Sequence, residues 1–135
     1  MNVDHQKWKS LTKESILLKK PWFEVFREEI QLPDGKVIPE YYEIEMPHYC
    51  AVFAVTVDQK IIVLRCYRHA IGEVTLTMPG GMIEKGESPL EGIQRELLEE
   101  TGYKAKEWES LGSFIGNSTK GCGTYHLFFS TGAYP

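Results

Sequence analysis

The sequence has little of what several protein classes need. Its three cysteines, Cys50, Cys66 and Cys122, are odd in number and form no CxxC pair. That excludes a disulfide framework and a cysteine-built zinc site, and the thiols read as the reduced cysteines of a cytosolic protein. No apolar run approaches the roughly 20 residues of a membrane span. The polar start over residues 1–10 is no signal peptide. The chain is therefore expected in the cytoplasm, with no membrane partner. Positive charge is also scarce: 15 Lys and Arg stand against 19 Asp and Glu, a formal charge of −4. Apart from Lys19-Lys20 the cations are scattered, so no basic patch invites nucleic acid. Internal repeats and low-complexity segments are absent. What remains is 135 residues, expected as one domain over 1–135 with room for a core.

Turn residues divide that length. Trp22 to Ile30 is aromatic-rich and strand-like, Pro33-Asp34-Gly35 is a turn, and Lys36 to Met46 returns, which predicts an N-terminal β-hairpin within residues 1–46. Cys50 to Val57 and Lys60 to Tyr67 flank Asp58-Gln59 as a second hairpin. Their near-continuous apolar runs predict burial on both faces. A short strand near Val74–Met78 leads into the glycines Gly80-Gly81. Trp108 to Phe114 and Tyr125 to Ser130 read as later strands around a loop over 116–123. Strands around one central helix, without βαβ alternation, give an α+β mixed sheet with helical cover.

The helix is Pro89 to Thr101. Ser88 is its N-cap, Pro89 its first residue, and Glu91 closes a capping box. Leu90, Ile93 and Leu97 form one apolar stripe, and Gly102 follows the last turn. Glu96 and Glu100 lie four apart on one face, with Glu99 three from Glu96. Like charges at this spacing cost about 0.2–0.5 kcal/mol per pair. Anions in the last turn meet the wrong end of the helix dipole, at about 0.3–1 kcal/mol each. A divalent cation would neutralise the cluster, and all-oxygen ligation suits Mg²⁺ or Mn²⁺. The plainer alternative is a solvated face, with Arg95 paired along the helix to Glu91 and Glu99. Gly92 is expected to project near Glu96 and Glu99, where it either leaves a ligand room or, more simply, reflects neutral drift from a small residue.

Read from Gly81 to Tyr103, these residues spell G-x5-E-x7-R-E-U-x-E-E-x-G-U, with U bulky and apolar. Gly81, Glu87, Arg95, Glu96, Leu97, Glu99, Glu100, Gly102 and Tyr103 fill every specified position. At ordinary residue frequencies a chance match is on the order of one in ten million. The segment 81–103 thus resembles the Nudix box of the Nudix hydrolases. The resemblance implies an α/β fold, an α/β/α sandwich preceded here by the N-terminal hairpin, and Mg²⁺-dependent (or Mn²⁺-dependent) phosphoanhydride hydrolysis.

Upstream, the LPDG turn, the Tyr67-Arg68 pair and the approach to the box resemble the ADP-ribose pyrophosphatase branch. That likeness implies metal ligation by the Gly80 carbonyl, Glu96 and Glu100, with Glu99 as a further ligand or water activator. Glu87 and Arg95 would fix the cluster. Arg68 would contact substrate phosphate or ribose, Met82 would approach the substrate through its backbone, and Trp22 or Phe23 would stack on adenine. His126 reads as a strand residue rather than a base, and Cys122 as an unpaired thiol. Two departures stand out: no Asp or Glu follows Glu109, and the chain stops at Pro135 without the branch's helical tail.

The expected activity is Mg²⁺-dependent hydrolysis of a nucleoside diphosphate linked to another moiety, such as ADP-ribose or another NDP-sugar. The rivals are a pyrophosphohydrolase of nucleoside triphosphates, including oxidised ones, and a non-catalytic nucleotide-binding regulator of the same fold. The hairpin aromatics Trp22, Phe23, Phe26, Tyr41 and Tyr42 resemble a pairing segment, so a homodimer is expected.

Overall fold

The computed structural model describes residues 6–135; the polar start read above lies partly outside them. The chain forms two compact units, the described part of Met1–Pro47 with Ile115–Gly123, and His48–Phe114 with Thr124–Pro135.

In the first unit β1 (Lys9–Lys19), β2 (Phe23–Gln31) and β3 (Val37–Glu45) make an antiparallel sheet in that order. β2 and β3 are the expected hairpin. β1 is an addition that the sequence reading did not foresee: its side chains alternate poorly in polarity, and it is exposed along its whole length. Charge ties it to its neighbours instead. Lys13 stands opposite Glu28 and reaches both Glu28 (3.3 Å) and Glu43 (2.6 Å). Ser10 Oγ donates to Glu28 at 2.8 Å, and that bond is the main reason the buried carboxyl lies below the usual carboxylate range. The segment Ile115–Gly123, with its turn over 118–121, also belongs to this unit. There the Tyr41 hydroxyl donates to the Thr119 carbonyl, and the Ile44 N–H donates to Lys120 O at 2.9 Å.

The second unit is built on β4 (Tyr49–Thr56). It pairs antiparallel with β7 (Gly80–Met82) and parallel with β9 (Cys122–Ala133), and β8 (Glu107–Asn117) lies beyond β9. β5 (Leu64–Arg68) and β6 (Glu73–Thr77) form a separate antiparallel pair. With α1 (Pro89–Thr101), this is the mixed α/β fold with a mixed sheet that the sequence implied. Among the described residues α1 is the single α-helix, and no helix is long and apolar enough to cross a membrane.

Burial departs from expectation in the β4–β5 segment. β4 alternates: Cys50, Val52 and Ala54 are buried, while Phe53 between them is 38% exposed. Beyond the turn, Ile61 still bridges Val55 of β4, and alternation turns Ile62 to the core while Ile61 and Val63 are about half exposed. Only one side of β4 therefore meets the helix. β8 and β9 are longer than read, reducing the expected loop to a turn.

The helix has the expected ends. Ser88 and Glu91 close the capping box, and Gly102 adopts the left-handed conformation after Thr101. Ile93 and Leu97 are fully buried against Cys50, Val52, Ala54 and Phe128. Leu90, the third member of the expected stripe, is 39% exposed in the first turn; Gly92 lies in the packed row instead. A Cβ on Gly92 would sit 3.3 Å from the Glu87 carboxylate and 3.6 Å from Cys50 Sγ. Gly92 thus lets the helix settle close to β4 and does not open space beside Glu96 and Glu99.

Leu97→Ala should cost about 2–5 kcal/mol, and Leu90→Ala about 1 kcal/mol or less. Urea unfolding of the two variants measures both; equal losses would mean that Leu90 is also a core residue.

Candidate active site

The end of α1 directs its carboxylates at β7. Glu96 and Glu100, one turn apart, both meet the Gly80-Gly81 backbone. Glu100 accepts from the Gly80 N–H at 2.9 Å. The Glu96 carboxylate lies so close over Gly81 that a Cβ there would collide with it. A Cβ on Gly80 would strike the Cys50 carbonyl. Glycine at both positions allows this approach of helix, strand and neighbouring strand.

Arg95 ties the region together. Nε and Nη2 grip Glu87 at 2.7 and 3.0 Å; Nη1 reaches Glu96 at 2.9 Å and Glu99 at 3.2 Å; Nη2 also donates to the Met82 carbonyl at 3.0 Å. Those contacts use all five N–H donors of a guanidinium. Arg95, helped by the Glu84 N–H, holds the Glu87 carboxyl far below its ordinary range, at about 2. Reciprocally Glu87, then Glu96, raise the Arg95 pKa further above its already high ordinary value. The Arg95–Glu91 pair considered from sequence does not form, because Glu91 is engaged with Ser88 in the capping box.

Above β7 and β4 opens a cavity of about 370 Å³, lined by Tyr49, Arg68, Met78, Gly80, Gly81 and Tyr125 among others. Arg68 and Gly80, both singled out from the sequence, thus share one cavity. Met82 does not line it: it pairs with Tyr49 on β4 and gives its carbonyl to Arg95. Trp22 lies in the first unit, 60% exposed in the turn before β2. His126 faces His48, Nε2 to Nδ1 at 3.1 Å, and burial, then His48, lowers its pKa. Cys50 is buried, donates to the Gly81 carbonyl at 3.5 Å, and has its thiol pKa raised by burial. Sequence reasoning missed Tyr49 and Tyr125. Each is an ordinary strand tyrosine until the parallel β4–β9 pairing sets one opposite the other.

A second hollow, of about 380 Å³, runs along α1 between Leu98, Lys104, Trp108 and Tyr134. Of the candidate residues it touches only Arg95, whose donors are already engaged.

Among the described residues no three His, Cys, Asp or Glu side chains are drawn together as a cation cage. The donors that gather at β7 are nonetheless all oxygens: Glu96 and Glu100 against the Gly80-Gly81 backbone, with Glu99 beside Glu96 through Arg95. The room that glycine leaves for the Glu96 carboxylate and the hardness of these donors fit Mg²⁺ or Mn²⁺ and do not fit a thiolate-seeking metal.

The profile of the NUDIX domain matches residues 46–132. An ADP-ribose pyrophosphatase of Bacillus subtilis is 33% identical over 122 residues, 90% of this chain and 65% of that protein. A methanol dehydrogenase activator of Bacillus methanolicus is 32% identical over 105 residues, 78% of this chain and 56% of that protein. The chain thus spans less than two thirds of the length of either relative. A crystal structure described as an ADP compounds hydrolase superposes with a TM-score of 0.84 at 22% identity, over 96% of this chain and 70% of that one, which establishes the likeness of fold.

The low pKa of Glu87 has a pH signature. An ordinary glutamate titrates near about 4.3, whereas folded Glu87 does so at about 2. The unfolded chain therefore binds this proton more readily. The stabilisation is fully present above about pH 5 and is lost as pH falls through the folded value. Glu87→Gln should lower stability at neutral pH and flatten its dependence on pH below about 5. Urea unfolding across that range checks this; an unchanged slope would mean that Glu87 is no more stabilised when folded than in solution.

Proposed function

This chain belongs to the NUDIX family, and we propose that it is a Mg²⁺- or Mn²⁺-dependent hydrolase of nucleoside diphosphates linked to a second moiety, such as ADP-ribose or another NDP-sugar. The observation that carries the reading is the meeting of the box carboxylates with the Gly80-Gly81 strand, at the edge of a cavity that also holds Arg68. The B. subtilis relative, named an ADP-ribose pyrophosphatase, supports the substrate class. In this reading residues 1–135 act as a single Nudix hydrolase domain with the box at 81–103.

Glu96, Glu100 and the Gly80 backbone would hold the cation, with Glu99 as a further ligand or the group that receives a proton from water. When bound, the cation neutralises phosphate oxygens and lowers the pKa of water. Glu99, its side chain 59% exposed, has a carboxylate oxygen free to turn toward water while Arg95 steadies the other. Arg95 is a positioning residue: its donors hold Glu87, Glu96, Glu99 and Met82 and leave none for substrate. Arg68 supplies the planar donor set suited to phosphate. Water attack at phosphorus breaks the P–O–P bridge and releases a nucleoside monophosphate.

A regulatory reading draws support from the relative named a methanol dehydrogenase activator. Turnover separates the two: a pure regulator binds nucleotide and releases no monophosphate.

Divalent metal should raise thermal stability, by about 2.7 kcal/mol at a hundredfold excess over the dissociation constant. Glu99→Gln should lower kcat about 100-fold or more, and Glu100→Gln should do so comparably, with apo stability retained in both. Scanning calorimetry with and without Mg²⁺ and steady-state turnover of ADP-ribose test this. Full activity in chelator would overturn the metal assignment, and active Gln variants would return the carboxylates to a solvated face.

We also propose a twofold homodimer, supported by the exposed Trp8, Leu17, Leu18 and Trp22 of the first unit. Light scattering during size-exclusion chromatography should give twice 15.5 kDa; a fully active monomer would refute it.

A further inference from the structure

Tyr49 and Tyr125 are register partners across the parallel β4–β9 pair, with ring centroids 5.8 Å apart and planes inclined by 31°. Strand alternation turns them away from the side of Cys50, which is buried against α1. Both line the cavity floored by Gly80 and Gly81, and Tyr125 is 43% exposed. A second aromatic pair, Phe53 and Phe129, lies four residues further along the same face, with centroids 6.1 Å apart. It does not line this cavity. Cross-strand packing alone explains the phenylalanines. It does not explain why the tyrosine rings wall a hollow whose floor carries no side chains and whose rim carries Arg68.

The cavity therefore offers two kinds of contact: flat, apolar ring faces on one wall and one guanidinium beside them. At about 370 Å³ it falls in the usual range of roughly 300–1,000 Å³ for a small-molecule site. A sugar would call for a ring of polar partners, and a free phosphate would need Arg68 alone. A planar heterocycle joined to a phosphate uses both surfaces. We propose that Tyr49 and Tyr125 form the stacking platform for the base of the bound nucleotide. This rests on the reading of the same cavity as the substrate site, and it assigns base recognition to β4 and β9 in place of Trp22. Arg68 then selects the phosphate end, and the platform tolerates any base, because every base presents a π-face.

The test compares AMP with ribose 5-phosphate, which lacks the base, by isothermal titration of the full chain. The wild-type protein should bind AMP more tightly. Tyr49→Leu and Tyr125→Leu should each weaken AMP about 5- to 150-fold and leave ribose 5-phosphate unchanged, while Tyr125→Phe keeps both affinities. Phe53→Leu removes an aromatic from the neighbouring pair and should lower the melting temperature without moving AMP affinity. Photolabelling of the wild-type chain with azido-AMP needs no variant and should mark the peptides holding Tyr49 or Tyr125. The proposal is overturned if folded Leu variants keep wild-type AMP affinity, if both ligands weaken alike, if the wild type does not favour AMP, or if the label falls on Trp22. Failure of hydrolysis would appear separately, as AMP binding that depends on the tyrosines in a protein that turns over no substrate.

Discussion

One guanidinium holds the arrangement of the candidate site. Arg95 reaches from α1 to the loop before it, through Glu87, and to β7, through Met82, while restraining two neighbours on its own helix. A lysine could supply the charge but not the fork, since its three donors radiate from one nitrogen. Three carboxylates against one cation still leave a local excess of negative charge. Glu100, turned to the Gly80 N–H, adds to it. The helix dipole opposes rather than relieves that excess. The region is thus rigid in geometry and unbalanced in charge, a combination suited to receiving a positive ion at a fixed place.

Close approach is the second constraint, and glycine provides it three times. Gly80 lets β7 come against the Cys50 carbonyl, Gly81 makes room for the Glu96 carboxylate, and Gly92 brings α1 down on Cys50 and Glu87. Cys50 sits where the three meet, buried and donating to the Gly81 carbonyl. Core and site therefore share a wall. A change of volume at Cys50 or Gly92 presses directly on the strand that carries the acidic residues' partners.

The helix and its caps were legible residue by residue, because Ser88, Pro89, Glu91 and Gly102 act locally. Glu96 and Glu100 were legible as a pair for the same reason: four residues along a helix fix a shared face. Arg68 and Gly80 could be named, but their shared cavity arises only when β5 and β7 are both in place. The reading failed where partners are distant. β1 is held by Lys13 and Ser10 acting on Glu28, which no periodicity announces. Ile61 and Val63 look like core in a one-dimensional pattern and lie about half exposed, because only Ile62 of this short segment beside β4 turns to the core. Tyr49 and Tyr125 became a pair only through a parallel register.

That parallel register also joins distant parts of the chain. His48 and His126 are 78 residues apart and touch only when β9 joins β4. The β2–β3 hairpin and α1 need nothing so remote. On a ribosome, both could form while β4 still exposes the edge that β9 will cover. Loop closure over such a distance costs entropy before any contact repays it, and slow pairing follows. For that interval the buried row Cys50, Val52 and Ala54 stands with the helix on one side and a strand missing beside it. Until β9 pairs, that edge of β4 presents unpaired N–H and C=O groups to any other strand.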